Sequence, residues 1–76
     1  MNTKNSETDK NEMLEMGVYA LSQMAMYSYY KEYMNINIDS SVHAKYEAMY
    51  KAAIKELGAI GVDKTEADRM IIRKLN

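Results

Sequence analysis

Residues 40–57 read SSVHAKYEAMYKAAIKEL, and the spacing of their apolar side chains decides the predicted fold. These side chains recur at intervals of three and four residues, at Val42, Tyr46, Met49, Ala53 and Leu57. An α-helix repeats about every 3.6 residues, so this spacing places them on one face of a helix. Glu47 and Lys51 lie on the opposite face as an i,i+4 pair in the favourable order. The stretch therefore predicts a helix with one buried face.

Short polar side chains precede this helix and a glycine follows it. Asp39, Ser40 or Ser41 can cap its first turn, because a side-chain oxygen at that position accepts a free backbone N–H. Gly58 follows the last apolar position, where a left-handed residue commonly ends a helix. We therefore expect the helix to end at about Leu57.

A second, shorter helix is predicted after the connection formed by residues 59–62. Asp63 is a suitable N-cap, and Glu66 stands in capping-box register. We predict a helix over residues 64–74, with Ile60 and Val62 of the connection filling the core. The expected buried stripe of this helix contains Ala67, Met70, Ile71 and Leu75.

The N-terminal part of the chain predicts one long helix behind a polar tail. Residues 11–34 contain no proline, and the asparagines of residues 35–39 favour a turn or link. Gly17 and Ala20 would allow another helix to approach closely. The expected core face comprises Met13, Leu14, Gly17, Ala20, Leu21, Met24 and Ala25. Residues 1–10 lack apolar periodicity, and we expect a disordered tail there.

These patterns together predict a small all-α fold. We expect a three-helix bundle with a long first helix, a second helix and a short third helix, forming one domain over residues 11–76. A chain of 76 residues is close to the lower size limit for independent folding. It has no cysteine for disulfides, so its stability must come from tight helix packing, from oligomerisation or from both.

The composition argues against several functional classes. The formal net charge of -1 and the pI of about 5.7 favour neither nucleic acid nor an anionic membrane as a partner. The most apolar segment, residues 13–30, is interrupted by polar residues and does not predict a spanning helix. The chain opens without a charged and then apolar leader, so we expect a soluble cytoplasmic protein.

The first helix carries the main functional signal, because it is apolar or aromatic nearly all round. Glu15 and Ser22 are polar positions on the face opposite the predicted core face. The large side chains on that opposite face are Tyr19, Met26, Tyr29, Tyr30 and Tyr33, which we name the Tyr/Met stripe. A three-helix chain of this length can cover only one side of such a helix.

An exposed stripe of this composition favours a protein interface. Tyrosine supplies rigid contact area, methionine adapts to irregular surfaces, and both are enriched at interface centres. The simplest partner is a second copy of the chain, and a different protein is also possible. The alternative is that these side chains form only a loose margin of the core, with their hydroxyl groups in water.

Catalytic machinery is not evident in the sequence. His43 is the only histidine, lies beside the predicted core stripe and is expected to be a surface or boundary residue. No glycine-rich phosphate loop, nucleophile elbow or calcium-loop pattern is present in the sequence. The sequence therefore predicts a non-enzymatic protein without metal or cofactor, a regulator, inhibitor or adaptor.

One alternative function comes from residues 55–75, which resemble a helix-turn-helix motif. A helix ends there, Gly61 lies in the turn, and a second helix follows. In that arrangement the DNA-facing side chains would be Lys64, Thr65, Arg69 and Arg73. The carboxylates of Asp63, Glu66 and Asp68 would oppose the binding of phosphates.

Overall fold

Three α-helices make up the fold in the computed structural model, which describes residues 6–76. Helix α1 spans Ser6–Tyr33, α2 spans Ser40–Ala59 and α3 spans Lys64–Leu75. No strand occurs within the described residues. The predicted all-α three-helix architecture is confirmed. No helix within residues 6–76 is long and apolar enough to cross a lipid bilayer.

Helix α1 is longer than predicted at its N-terminal end. It begins at Ser6 rather than at about Asn11, because residues 6–10 contain no proline or glycine that would stop the helix from extending. The part of the predicted tail at residues 1–5 lies outside the described residues.

At the C-terminal end of α1, Asn35 adopts a left-handed conformation with φ of 54°, and the N–H groups of Met34 and Ile36 both donate to the Tyr30 carbonyl. This turn ends the helix at Tyr33, one residue before the predicted Met34.

Helix α2 begins as predicted. The Asp39 Oδ1 atom accepts a hydrogen bond of 3.0 Å from the Ser41 N–H, so Asp39 is the N-cap. This bond lowers the pKa of the Asp39 carboxyl. The predicted Glu47–Lys51 pair is present, with 3.6 Å between the carboxylate and the ammonium group.

The C-terminal end of α2 differs from the prediction. Gly58 lies inside the helix, and the left-handed residue is Gly61, with φ of 97°. The Val62 N–H donates to the Leu57 carbonyl and the Gly61 N–H donates to the Gly58 carbonyl, which is the Schellman arrangement. Val62 also packs against the core cluster that contains Leu57. This apolar contact favours termination after Ala59 rather than at Leu57.

Helix α3 is capped as predicted, by a 2.9 Å hydrogen bond from the Glu66 N–H to Asp63 Oδ1. Ala67 and Ile71 are buried and Met70 is half-buried. Leu75 is exposed, because it is the last residue of the helix and extends past the core. Ile60, which we expected to fill the core, is the C-cap residue of α2 and is 40% exposed.

The three helices meet at Gly17 of α1. A Cβ atom on Gly17 would lie close to the side chains of Ile71 and Ala53, so both α3 and α2 approach α1 there. This bears out the expected close approach at Gly17. At about 1.5 Å per residue, α3 is about 18 Å long and α1 about 42 Å long, so α3 covers only part of the α1–α2 pair. Ala25, predicted to be core, is exposed beyond its reach. The fully or almost fully buried apolar residues are Leu14, Ala20, Ala53, Leu57, Ala67 and Ile71.

Candidate interaction surface

The Tyr/Met stripe lies on the side of α1 that faces away from the core. Tyr19, Met26, Tyr29 and Tyr33 are exposed, with 50%, 37%, 55% and 73% of their surfaces accessible. Tyr30 is half-buried. Leu14, Gly17 and Ala20, on the opposite side of the helix, are buried. One helix thus carries the core face and a large exposed aromatic face.

Six tyrosine rings form a connected series across α1 and α2, which we name the tyrosine ladder. In order of contact these rings belong to Tyr19, Tyr46, Tyr27, Tyr30, Tyr29 and Tyr33. Successive ring centroids are between 5.1 and 6.4 Å apart, and three of the five pairs are edge-to-face. Such pairs are favourable beyond the area they bury. The rings are therefore held by one another before any partner binds.

Hydrogen bonds fix the end of the ladder nearest the core. Gln23 Nε2 donates to the Tyr19 hydroxyl over 3.1 Å, and the Ser22 hydroxyl donates to the Tyr19 carbonyl over 2.8 Å. The bond from Gln23 lowers the pKa of Tyr19. The neighbouring Tyr19 hydroxyl, together with burial, raises the pKa of Tyr46 from its ordinary value of 10.0 to about 12.

Tyr27 and Tyr46 belong to the ladder but were not among the predicted binding residues. Tyr27 precedes Tyr30 by three residues, so helical spacing could have identified it. Tyr46 was assigned to the core stripe of α2, and it is half-buried between the helices with Lys45 Nζ 5.7 Å from its ring centroid. Only the packing of α2 on α1 brings Tyr46 to Tyr19 and Tyr27.

The four residues predicted to contact DNA in the alternative function are all exposed on α3. Arg69 Nη1 lies 2.7 Å from Glu66 Oε1, and Lys64 Nζ lies 3.6 Å from Asp68 Oδ2. Carboxylates of the same helix thus lie against two of the three cations. This arrangement weakens the positive field that phosphate binding requires.

His43 is exposed on α2, which agrees with its expected surface or boundary position. Among the side chains described here, no three histidine, aspartate or glutamate residues are grouped closely enough to hold a metal ion. The Tyr50 hydroxyl donates a 2.5 Å hydrogen bond to Asp68 Oδ1 and so joins α2 to α3. This hydrogen bond therefore serves the packing of α3 against α2.

Comparisons of this chain with protein-family models, with curated proteins and with solved structures gave no match.

Proposed function

We propose that this chain is a non-enzymatic interaction module that binds a protein partner through the Tyr/Met stripe of α1. It acts as a small regulator, inhibitor or adaptor, and it self-associates through the same helix. The observation that carries the proposal is the exposure of Tyr19, Met26, Tyr29 and Tyr33 on the face of α1 opposite the core.

The ladder supports this proposal on energetic grounds. Association costs conformational freedom, at roughly 0.5–1.5 kcal/mol for each side chain that is immobilised. The ring of Tyr29 already contacts the rings of Tyr30 and Tyr33, so part of this loss is incurred on folding. A partner that meets the stripe then gains apolar contact with less further ordering.

Self-association is the simplest form of the interaction. The stripe extends from Tyr19 to Tyr33, which is about 21 Å along the helix at about 1.5 Å per residue. Two copies of α1 packed antiparallel would place each stripe against the other in a two-fold symmetric bundle. A different protein that presents an apolar helix face would use the same contacts.

The test combines charge substitution on the stripe with a mass measurement. The double variant Met26→Glu/Tyr29→Glu places two carboxylates on the stripe, and the matched control Ala48→Glu/Ala52→Glu places two on exposed positions of α2. We expect light scattering to give a dimer mass for the wild type and the control at about 100 μM, and a monomer mass for the stripe variant. Circular dichroism verifies that both variants remain helical.

Capture of proteins from the native host, followed by mass spectrometry, tests the partner. We expect a protein that the wild type and the control retain and that the stripe variant loses. A wild type that is monomeric at the same concentration would refute the self-association. A set of captured proteins that is unchanged by Met26→Glu/Tyr29→Glu would refute partner binding through the stripe.

A further inference from the structure

A second surface arises because α3 covers only part of the α1–α2 pair. Two adjoining depressions of about 390 and 540 Å³ lie along the uncovered part and share His43 and Glu47. The larger one ends at Lys64, the first residue of α3. We name these two depressions together the α1–α2 groove. No residue of the Tyr/Met stripe lines it.

The floor of the groove is largely apolar. Met24 and Ile54 line the larger depression with the ring of Tyr50, and Tyr27 and Ile38 line the smaller one. Ile54 and Tyr50 also pack against the core cluster. The floor is therefore continuous with the surface on which α3 packs, and it can accept the apolar face of another helix.

The rim of the groove is positively charged, although the whole chain has a net charge of -1. One carboxylate, that of Glu47, lines the groove. The cations that line it are Lys31, Lys51, Lys55 and Lys64. Among the residues that the structure describes, Lys31 and Lys55 have no ion pair.

Lys51 and Lys64 remain able to contact a ligand despite their ion pairs. Their side chains are 75% and 79% exposed, and each pairs over 3.6 Å with a carboxylate four residues away, Glu47 and Asp68 respectively. Exposed i,i+4 pairs of this kind contribute only about 0.3–0.5 kcal/mol. A ligand carboxylate can replace them at little cost.

We propose that the α1–α2 groove binds an amphipathic helix with acidic flanks, supplied by a partner protein. The apolar face of that helix lies on Met24, Tyr50 and Ile54, and its carboxylates meet the lysines of the rim. The groove follows α2 from Ser40 to Lys55, about 22 Å at about 1.5 Å per residue, which fits about four turns of helix. This site is independent of the Tyr/Met stripe and does not rest on the function proposed for it.

The charge and chemistry of the lining favour an acidic helix over nucleic acid. No arginine lines the groove, and Glu47 lies in the part that the two depressions share. The Tyr50 hydroxyl is held by Asp68, which adds a second carboxylate next to the floor. A phosphate backbone would bring its evenly spaced charges against these carboxylates, whereas a helix can place its own carboxylates only where the rim lysines lie.

The experiment is a selection from a display library of helical peptides of about 15 residues with a fixed leucine stripe. The positions flanking the stripe carry either Glu or Lys. The full chain serves as bait in four forms. The first three are the wild type, the groove variant Lys51→Glu/Lys55→Glu and the control Lys45→Glu/Lys74→Glu, which has the same net charge as the groove variant but is altered outside the groove. The milder variant Lys51→Gln/Lys55→Gln is included in case charge reversal next to Glu47 unfolds α2.

We expect peptides with Glu flanks to be enriched on the wild type and on the control. An enriched peptide should bind the groove variant at least about tenfold more weakly, with a smaller loss for the glutamine variant. Equal enrichment of Glu and Lys flanks, or equal binding to wild type and groove variant, would overturn the proposal. Two other results would also overturn it if no acidic peptide bound. The first is that the wild type binds single-stranded nucleic acid and Lys51→Glu/Lys55→Glu does not, and the second is that the wild type is a dimer and this variant is a monomer.

Discussion

Ile71 of α3 lies directly over Gly17 of α1, with its Cδ1 atom 2.5 Å from the place that a Cβ on Gly17 would occupy. Real Cβ atoms do not approach another carbon this closely, so the absence of a side chain at Gly17 sets the distance between these helices. Ile71 is fully buried, so its side chain has little space into which to move.

The contact predicts that Gly17→Ala destabilises the protein even though alanine is the better helix former. Overpacking a core costs about 1–3 kcal/mol, and the gain in helix propensity is about 1 kcal/mol. We therefore expect a net loss of about 1 kcal/mol in the free energy of unfolding, measured by urea denaturation.

The companion variant Ile71→Val removes the Cδ1 atom that would clash. Alone it should lower the free energy of unfolding by about 0.5–1.5 kcal/mol, because it leaves a small cavity. The double variant Gly17→Ala/Ile71→Val should lose at least about 0.5 kcal/mol less free energy of unfolding than the two single variants lose in sum. Strict additivity would show that the two positions do not compete for the same space.

The glycines at the end of α2 should respond oppositely to alanine. Gly61 has φ of 97°, a conformation that alanine adopts with a penalty of roughly 1–2 kcal/mol, so Gly61→Ala should destabilise the protein. Gly58 lies in the helix with open space around its Cα, so Gly58→Ala should stabilise it by about 0.5–1 kcal/mol. Thermal unfolding of both variants tests this, and a stabilising Gly61→Ala would contradict the Schellman ending of α2.

Tyr50 should make the stability depend on pH in the alkaline range. Burial and the hydrogen bond to Asp68 raise the pKa of Tyr50 from its ordinary value of 10.0 to about 12 in the folded protein. The folded state thus retains a proton that the unfolded state releases, and the resulting stability is complete below pH 10 and is lost as the pH rises to about 12.

Tyr50→Phe should lower the free energy of unfolding by about 1 kcal/mol at neutral pH, because it removes the hydrogen bond to a carboxylate. Its difference from the wild type should shrink between pH 10 and about 12, as measured by urea denaturation across that range. Tyr33→Phe, at the most exposed tyrosine of the stripe, is the control and should change the stability by less than about 0.5 kcal/mol. If the difference in the free energy of unfolding between wild type and Tyr50→Phe stayed constant over this pH range, the pKa of Tyr50 would not be raised in the folded protein.

Duplex DNA should bind weakly or not at all, since Glu66 and Asp68 lie against Arg69 and Lys64. We expect no change in fluorescence anisotropy of a labelled duplex at about 50 mM salt, where phosphate contacts are strongest. Binding that weakens steeply with salt and disappears in Arg69→Ala would instead support the helix-turn-helix alternative.

The amino-acid sequence was sufficient to predict the number of helices, the N-cap Asp63, an N-cap for α2 at residue 39, 40 or 41, and the placement of the Tyr/Met stripe opposite the core face of α1. These features depend on helical spacing and on side chains that bond to their own backbone a few residues away, so a linear pattern contains them. Tertiary structure decided the end of α2 at Gly61, the exposure of Ala25 and Leu75, the entry of Tyr46 into the tyrosine ladder and the α1–α2 groove. Each depends on where α3 and α2 pack along α1, and that position follows from the fit of Ile71 over Gly17, between residues far apart in the chain.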